Sequence, residues 1–121
     1  MRVAVPTFNS KGLKGKVAEV FSRAPFFTII DVNNHEPKCI NVIDNAAASF
    51  SHGAGPVSVK ILSDNGVELL LAPEIGVGTS TLLEEMKIKY RKVEKNAEVS
   101  VLLKSLNDSK YKQDSKHNDF I

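Results

Sequence analysis

The chain has 121 residues, 42% of them hydrophobic and 25% charged, with a formal net charge of +2. That length suits one domain closing one core, and the mildly basic balance falls short of the concentrated basic face of a nucleic-acid binder. No apolar run reaches the roughly 18 residues that span a bilayer, and a single cysteine, Cys39, excludes an internal disulfide or a four-cysteine metal site.

The opening Met1–Pro6 lacks the long apolar stretch of a secretory leader, so a cytoplasmic protein with no membrane partner is expected. Val3-Ala4-Val5 reads as a short buried strand that Pro6 stops. A polar stretch from Asn9 to Lys16 follows, then one helical turn over Val17–Phe21 that Pro25 breaks. Phe26–Val32, rich in β-branched and aromatic residues, predicts a second strand. The turn chemistry of Asn33-Asn34-His35-Glu36-Pro37 returns the chain antiparallel over Cys39–Ile43.

After the loop 45–55, Pro56 is predicted as the first residue of a helix whose stripe is Val57, Ile61 and Leu62 and whose end is marked by Gly66. Val67–Ala72, almost continuously apolar, predicts a strand covered on both faces. A second helix is predicted from Gly78 or Thr79 to Lys87, with Thr81 and Glu84 at capping-box spacing. Ile88–Val93 alternates apolar and basic residues, as at an exposed sheet edge whose lysines discourage further pairing. Asn96 is predicted to cap a third helix with Val99, Leu102, Leu103 and Leu106 on one face. Residues 107–121, rich in Lys, Asp, Ser and Asn, read as a flexible polar tail beyond a domain of residues 1–106. The order β-β-β-α-β-α-β-α predicts an α/β fold, a mixed five-stranded sheet flanked by helices.

The segment Ser51-His52-Gly53-Ala54-Gly55-Pro56 is the densest chemical signal. Glycines let backbone approach a ligand closely, and the free N–H groups of a first helical turn favour an anion. With Pro56 first, the amides of Val57 and Ser58 are expected to point outward beside Ala54 and Gly55. His52 adds a hydrogen-bond donor or metal ligand. The alternative is a glycine-rich helix start with an exposed histidine.

Val3-Ala4-Val5-Pro6-Thr7, Phe21-Ser22-Arg23-Ala24-Pro25-Phe26-Phe27, Ser51–Pro56 and Ile75-Gly76, in this order, resemble the dinitrogenase iron–molybdenum cofactor biosynthesis family over residues 1–106. The resemblance implies a ribonuclease-H-like fold. It also implies a non-catalytic protein that binds or carries an iron–sulfur or molybdenum-containing metal cluster, with cluster donor or acceptor proteins as partners. Within it, the family's Phe-Gly-Arg-Ala-Pro element corresponds to Phe21–Pro25, with Ser22 in place of glycine. Its His-x-His-Gly-Ala-Gly-Pro loop corresponds to Phe50–Pro56, with Phe50 in place of the first histidine. The implied binding set is His52, Gly53, Ala54, Gly55 and Arg23, with His52 as the metal-facing residue. Arg23 has an alternative, an ion pair with Glu19 one turn back.

Other chemistry is thinly supported. Two-metal nuclease catalysis needs a carboxylate on the opening strand, where Val3-Ala4-Val5 offers none; Asp31, Asp44 and Glu74 stand near other strand ends. No Gly-x-Ser-x-Gly nucleophile elbow is present. Gly76-Val77-Gly78-Thr79-Ser80 lacks the lysine of a phosphate loop but is expected to line the same pocket as His52. No enzymatic activity is expected. Lone Cys39 reads as a small buried hydrophobe.

Overall fold

The computed structural model describes residues 1–34 and 36–106. His35, His117 and the expected tail over 107–121 lie outside the described residues. The strands are β1 (Arg2–Thr7), β2 (Phe26–Asn33), β3 (Glu36–Asp44), β4 (Leu69–Ala72) and β5 (Lys89–Lys92). The helices are α1 (Ala54–Asp64), α2 (Val77–Glu85) and α3 (Val99–Leu106), with a short 3-10 turn at Gly12–Lys14.

The strands form one mixed sheet in the order β3-β2-β1-β4-β5. β1 pairs antiparallel with β2 and parallel with β4; β2 and β3 form the expected antiparallel hairpin, and β4 and β5 run parallel. The order of elements and the mixed α/β sheet agree with the sequence. Alternation along the strands divides the core in two. Ala4, Phe27, Ile29, Leu70 and Ala72 face α1 and α2, meeting Val59, Leu62 and Leu83. Val3, Val5, Ile30, Leu69 and Leu71 face α3, meeting Val99 and Leu103. β4, buried at every position, needs both covers. Among the described residues no helix is long and apolar enough to cross a membrane.

Five local expectations are corrected. Pro6 does not end β1, which runs on to Thr7. The ladder to β4 stops at Ala4, and the Pro6 carbonyl on that side accepts the Ala18 amide at 2.9 Å, so the missing proline N–H leaves no gap in a ladder. Val17–Phe21 is not helical: Val17 is buried toward α3, whereas Ala18 and Phe21 are buried on the other face. A segment wrapping the end of a sheet has no single helical stripe to bury. Phe21 instead stacks obliquely on Phe27, ring centres 5.4 Å apart. α2 begins at Val77, so Thr81 lies inside it and its hydroxyl donates back to the Val77 carbonyl at 3.2 Å rather than forming a capping box. Asn96 does not cap α3 either. It takes a left-handed turn, φ 65°, three residues ahead, and the Glu98 carbonyl accepts the first bonds. The start of α1 is the fifth.

Candidate functional site

β1, β3, β4 and β5 all run the same way, so their carboxyl ends at Thr7, Asp44, Ala72 and Lys92 share one edge of the sheet. The loops leading to α1 and α2 both leave from this edge, the place where open α/β sheets bind ligands.

The loop from β3 to α1 is fastened before it reaches the helix. Asn45 is buried, and its side-chain amide donates to the carbonyls of Ser22 and Ala24, each at 3.0 Å. Its side-chain oxygen accepts the Ala47 amide at 3.0 Å, and its own amide donates to Pro25 at 3.0 Å. The buried Ser58 hydroxyl on α1 reaches the same Ser22 carbonyl at 3.4 Å. Arg23 completes the joint: its guanidinium donates to the carbonyl of Phe50 and, at 3.4 Å, to that of Ser51. The Phe21–Pro25 and Ser51–Pro56 segments, remote in sequence, are therefore one construction.

The expected Arg23–Glu19 pair is not formed; Glu19 is engaged by Lys95 at 2.9 Å. Nor does Ser22, replacing a glycine of the family pattern, adopt positive φ.

α1 begins at Ala54, with Gly53 as the residue that caps it, at φ 77° and ψ 14°. That left-handed turn is where a side chain would be strained. Pro56 is thus the third helical residue rather than the first. Its missing N–H still costs nothing, because none of the first helical amides has a partner within the helix. The correction changes the donors. The Val57 amide turns back to the Gly53 carbonyl at 3.4 Å and Pro56 has no N–H, so the first-turn amides without a partner inside the helix are those of Ala54 and Gly55. No side chain caps this end. Ser51, His52 and Gly53 are exposed, Gly55 is half-buried, and Ala54 is buried.

Gly55 also explains the place of α2. A Cβ at position 55 would lie 3.0 Å from the Thr79 hydroxyl oxygen, so the glycine lets the first turn of α2 close on the first turn of α1. The expectation that the 76–80 segment sits beside the histidine loop agrees with this contact. Thr79 and Asn45 are the residues that the sequence-based site set lacks.

Cys39 is not brought to the site. It lies in mid-β3, its Sγ against the carbonyl of Asn41 at 3.6 Å, and the five residues to Asp44 span roughly 17 Å of strand. Among the described residues no three His, Cys, Asp or Glu side chains converge as a metal site. A bare metal ion needing several protein ligands does not fit His52 and backbone amides. An anionic cluster that brings its own sulfide ligands does fit, since amide N–H groups and one imidazole offer hydrogen bonds to such sulfurs.

Two of the carboxylates named from sequence, Asp31 and Glu74, are occupied otherwise. Asp31 holds Arg2 at 3.0 Å at the opposite edge of the sheet, and that hydrogen bond keeps its carboxyl below the usual carboxylate range. Glu74 pairs with Lys92 at 3.4 Å. Tyr90 donates its hydroxyl to the Pro73 carbonyl at 2.5 Å; burial, and then the nearby charge of Glu74, pushes its pKa up.

Known proteins place this architecture. Its fold superimposes on the apo form of the orange protein from Desulfovibrio gigas with a TM-score of 0.78, at 28% identity, covering 89% of this chain and 88% of that one. It also superimposes on a Thermotoga protein described as a candidate NifB protein, with a TM-score of 0.66, at 29% identity, covering 88% and 85%. An uncharacterised protein of Methanocaldococcus jannaschii is 26% identical over 92 residues, 76% of this chain and 74% of that protein. The family model described as dinitrogenase iron–molybdenum cofactor matches residues 1–109, and the chain belongs to that family.

Proposed function

We propose that the protein is a carrier, without turnover of its own, for an anionic metal–sulfur cluster seated at the start of α1. The observation that carries this reading is the uncapped N-terminus of α1, with Gly53 turned left-handed and His52 exposed beside it, in a domain of the iron–molybdenum cofactor family. The Ala54 and Gly55 amides and the His52 imidazole donate to the cluster's sulfurs. The helix dipole and the Arg23 charge favour its negative charge. Arg23 acts mainly through the loop, since it holds the Phe50 and Ser51 carbonyls and so fixes where His52 leaves the chain. The shared fold with the orange protein, whose superimposed structure is its apo form, supports the reading. Cluster donor and acceptor proteins are the partners such a carrier implies.

Anaerobic reconstitution with iron and sulfide, and separately with tetrathiomolybdate, tests it. The loaded protein is expected to hold a stoichiometric visible chromophore through gel filtration, and His52→Ala to retain a severalfold smaller fraction. Protein that emerges colourless from both reconstitutions overturns the carrier reading.

One feature favours a second reading, a regulatory or interaction module of the same fold. Phe50 stands where relatives of the family pattern place a further histidine, and its ring is partly exposed, 38%, rather than ligating. A stable partner retained after His52→Ala and after chelation is its expected signature.

A further inference from the structure

The two sides of the sheet end differently. The outer strand β3 carries Pro37, its ladder to β2 slips between Ile29 and Ile30, and the Gly12–Lys14 turn packs on Cys39. These are devices that block edge pairing. β5 lacks a proline, a bulge and a covering turn, and its lysines, which discourage pairing with another basic strand, leave the edge open to an acidic one. It pairs with β4, its inward amides at Lys89 and Val93 donating to the Glu68 and Ala72 carbonyls at 2.9 and 3.0 Å. By strand alternation the amides and carbonyls of Tyr90 and Lys92 point away from the sheet.

A groove flanks this edge on each face. Leu83, Ile88 and Tyr90 line one of about 260 Å³ beside α2. Leu71, Val93 and Leu102 line another of about 320 Å³ beside α3. A strand added to β5 sends successive side chains into the two grooves in turn, the arrangement by which sheets accept extended peptides.

Charge selects the occupant. Lys87 and Lys89 border the first groove against one acid, Glu84, and make no ion pair among the described residues. Lys92 borders the second and is paired with Glu74 at 3.4 Å, so among the described residues the unpaired charge that selects the occupant is that of Lys87 and Lys89. A second copy of β5 would set a basic strand against itself, and like charges directly opposite are destabilising. A segment alternating acidic and apolar residues satisfies both the lysines and the grooves. We propose that β5 is a docking edge for an extended acidic–apolar segment of a partner protein, which joins the sheet as a sixth strand. Ser80 on the groove wall adjoins Thr79, the residue against Gly55, so the docked segment lies beside the site at the start of α1.

The test uses the full chain without cargo, so its outcome is independent of the carrier reading. A fluorescein-labelled decapeptide alternating glutamate and valine is titrated by fluorescence polarisation. Saturable binding is expected, with no binding of the same peptide carrying lysine for glutamate. Lys87→Glu with Lys89→Glu should raise Kd at least tenfold. Lys92→Pro, which removes one outward amide and leaves the β4 ladder whole, should raise it at least tenfold over Lys92→Ala. Absence of saturable binding, equal binding of the lysine peptide, or Lys92→Pro matching Lys92→Ala overturns the proposal.

Discussion

Two helices start at the same edge of this sheet, and they start in different ways. The chain reaches α1 through a loop fastened by Asn45 and Arg23 and ends it with a left-handed residue, Gly53. It reaches α2 directly from Pro73, through Gly76 in an ordinary extended conformation, φ −74° and ψ 162°. Nothing lies within 4 Å of a Cβ placed at Gly76 or Gly78, and Val77 is 86% exposed. Neither helix has a side-chain cap. The difference therefore lies in what surrounds the free amides. At α1 they are held in place by buried polar bonds and the left-handed turn at Gly53, whereas at α2 they stand in open solvent. Fixed donors are what a binding site needs, since a ligand then does not have to order them.

The sharpest way to break this contrast is Asn45→Ala. It strands the Ala24 carbonyl and the Ala47 amide and leaves the Ser22 carbonyl only the longer bond from Ser58, so a loss of about 2–4 kcal/mol is expected in urea unfolding. Next comes a matched pair of glycines. Gly53→Ala must adopt positive φ and is expected to cost about 1 kcal/mol, while Gly76→Ala is expected to change stability by less than about 0.5 kcal/mol. Equal effects at the two positions would dissolve the distinction.

Arg23→Gln is expected to lower stability by about 1 kcal/mol or less, because the bonds it loses are exposed. Cluster retention after reconstitution should fall severalfold, since the Phe50–His52 backbone loses its clamp. The smallest effect is expected far from either helix start. The Arg2 hydrogen bond lowers the folded pKa of Asp31, so the stability it gives is complete above the ordinary carboxylate range, near pH 4. That stability is lost as pH falls through the lowered value. Asp31→Asn should flatten the acid limb of a Tm-against-pH curve and leave the curve above pH 5 parallel to the original.

What the sequence showed and hid follows the same line. The hairpin of β2 and β3, the apolar run of β4, and the stripe of α3 were legible because each is a periodic pattern within one segment, whereas the stripe of α1 holds at Leu62 but misses the buried Ser58 and Val59. The α1 start was legible in composition but not in register. Proline is tolerated anywhere in the first helical turn, so Pro56 marks the turn without fixing its first residue, and the left-handed turn at Gly53 does fix it. Asn45 carries no local signal of its role, because asparagine is common in any loop and its partners, Ser22 and Ala24, lie more than twenty residues away. The union of the Phe21–Pro25 and Ser51–Pro56 segments was visible only through family resemblance.

The Ala54 and Gly55 amides are neither acids nor bases over the range in which proteins stay folded, and they form no covalent bond to what they hold. Under the proposed carrier role, cargo kept there would retain its full complement of its own ligands. Handing it on would then require only a competing surface with better-placed hydrogens, and a cluster would travel whole instead of being dismantled and rebuilt.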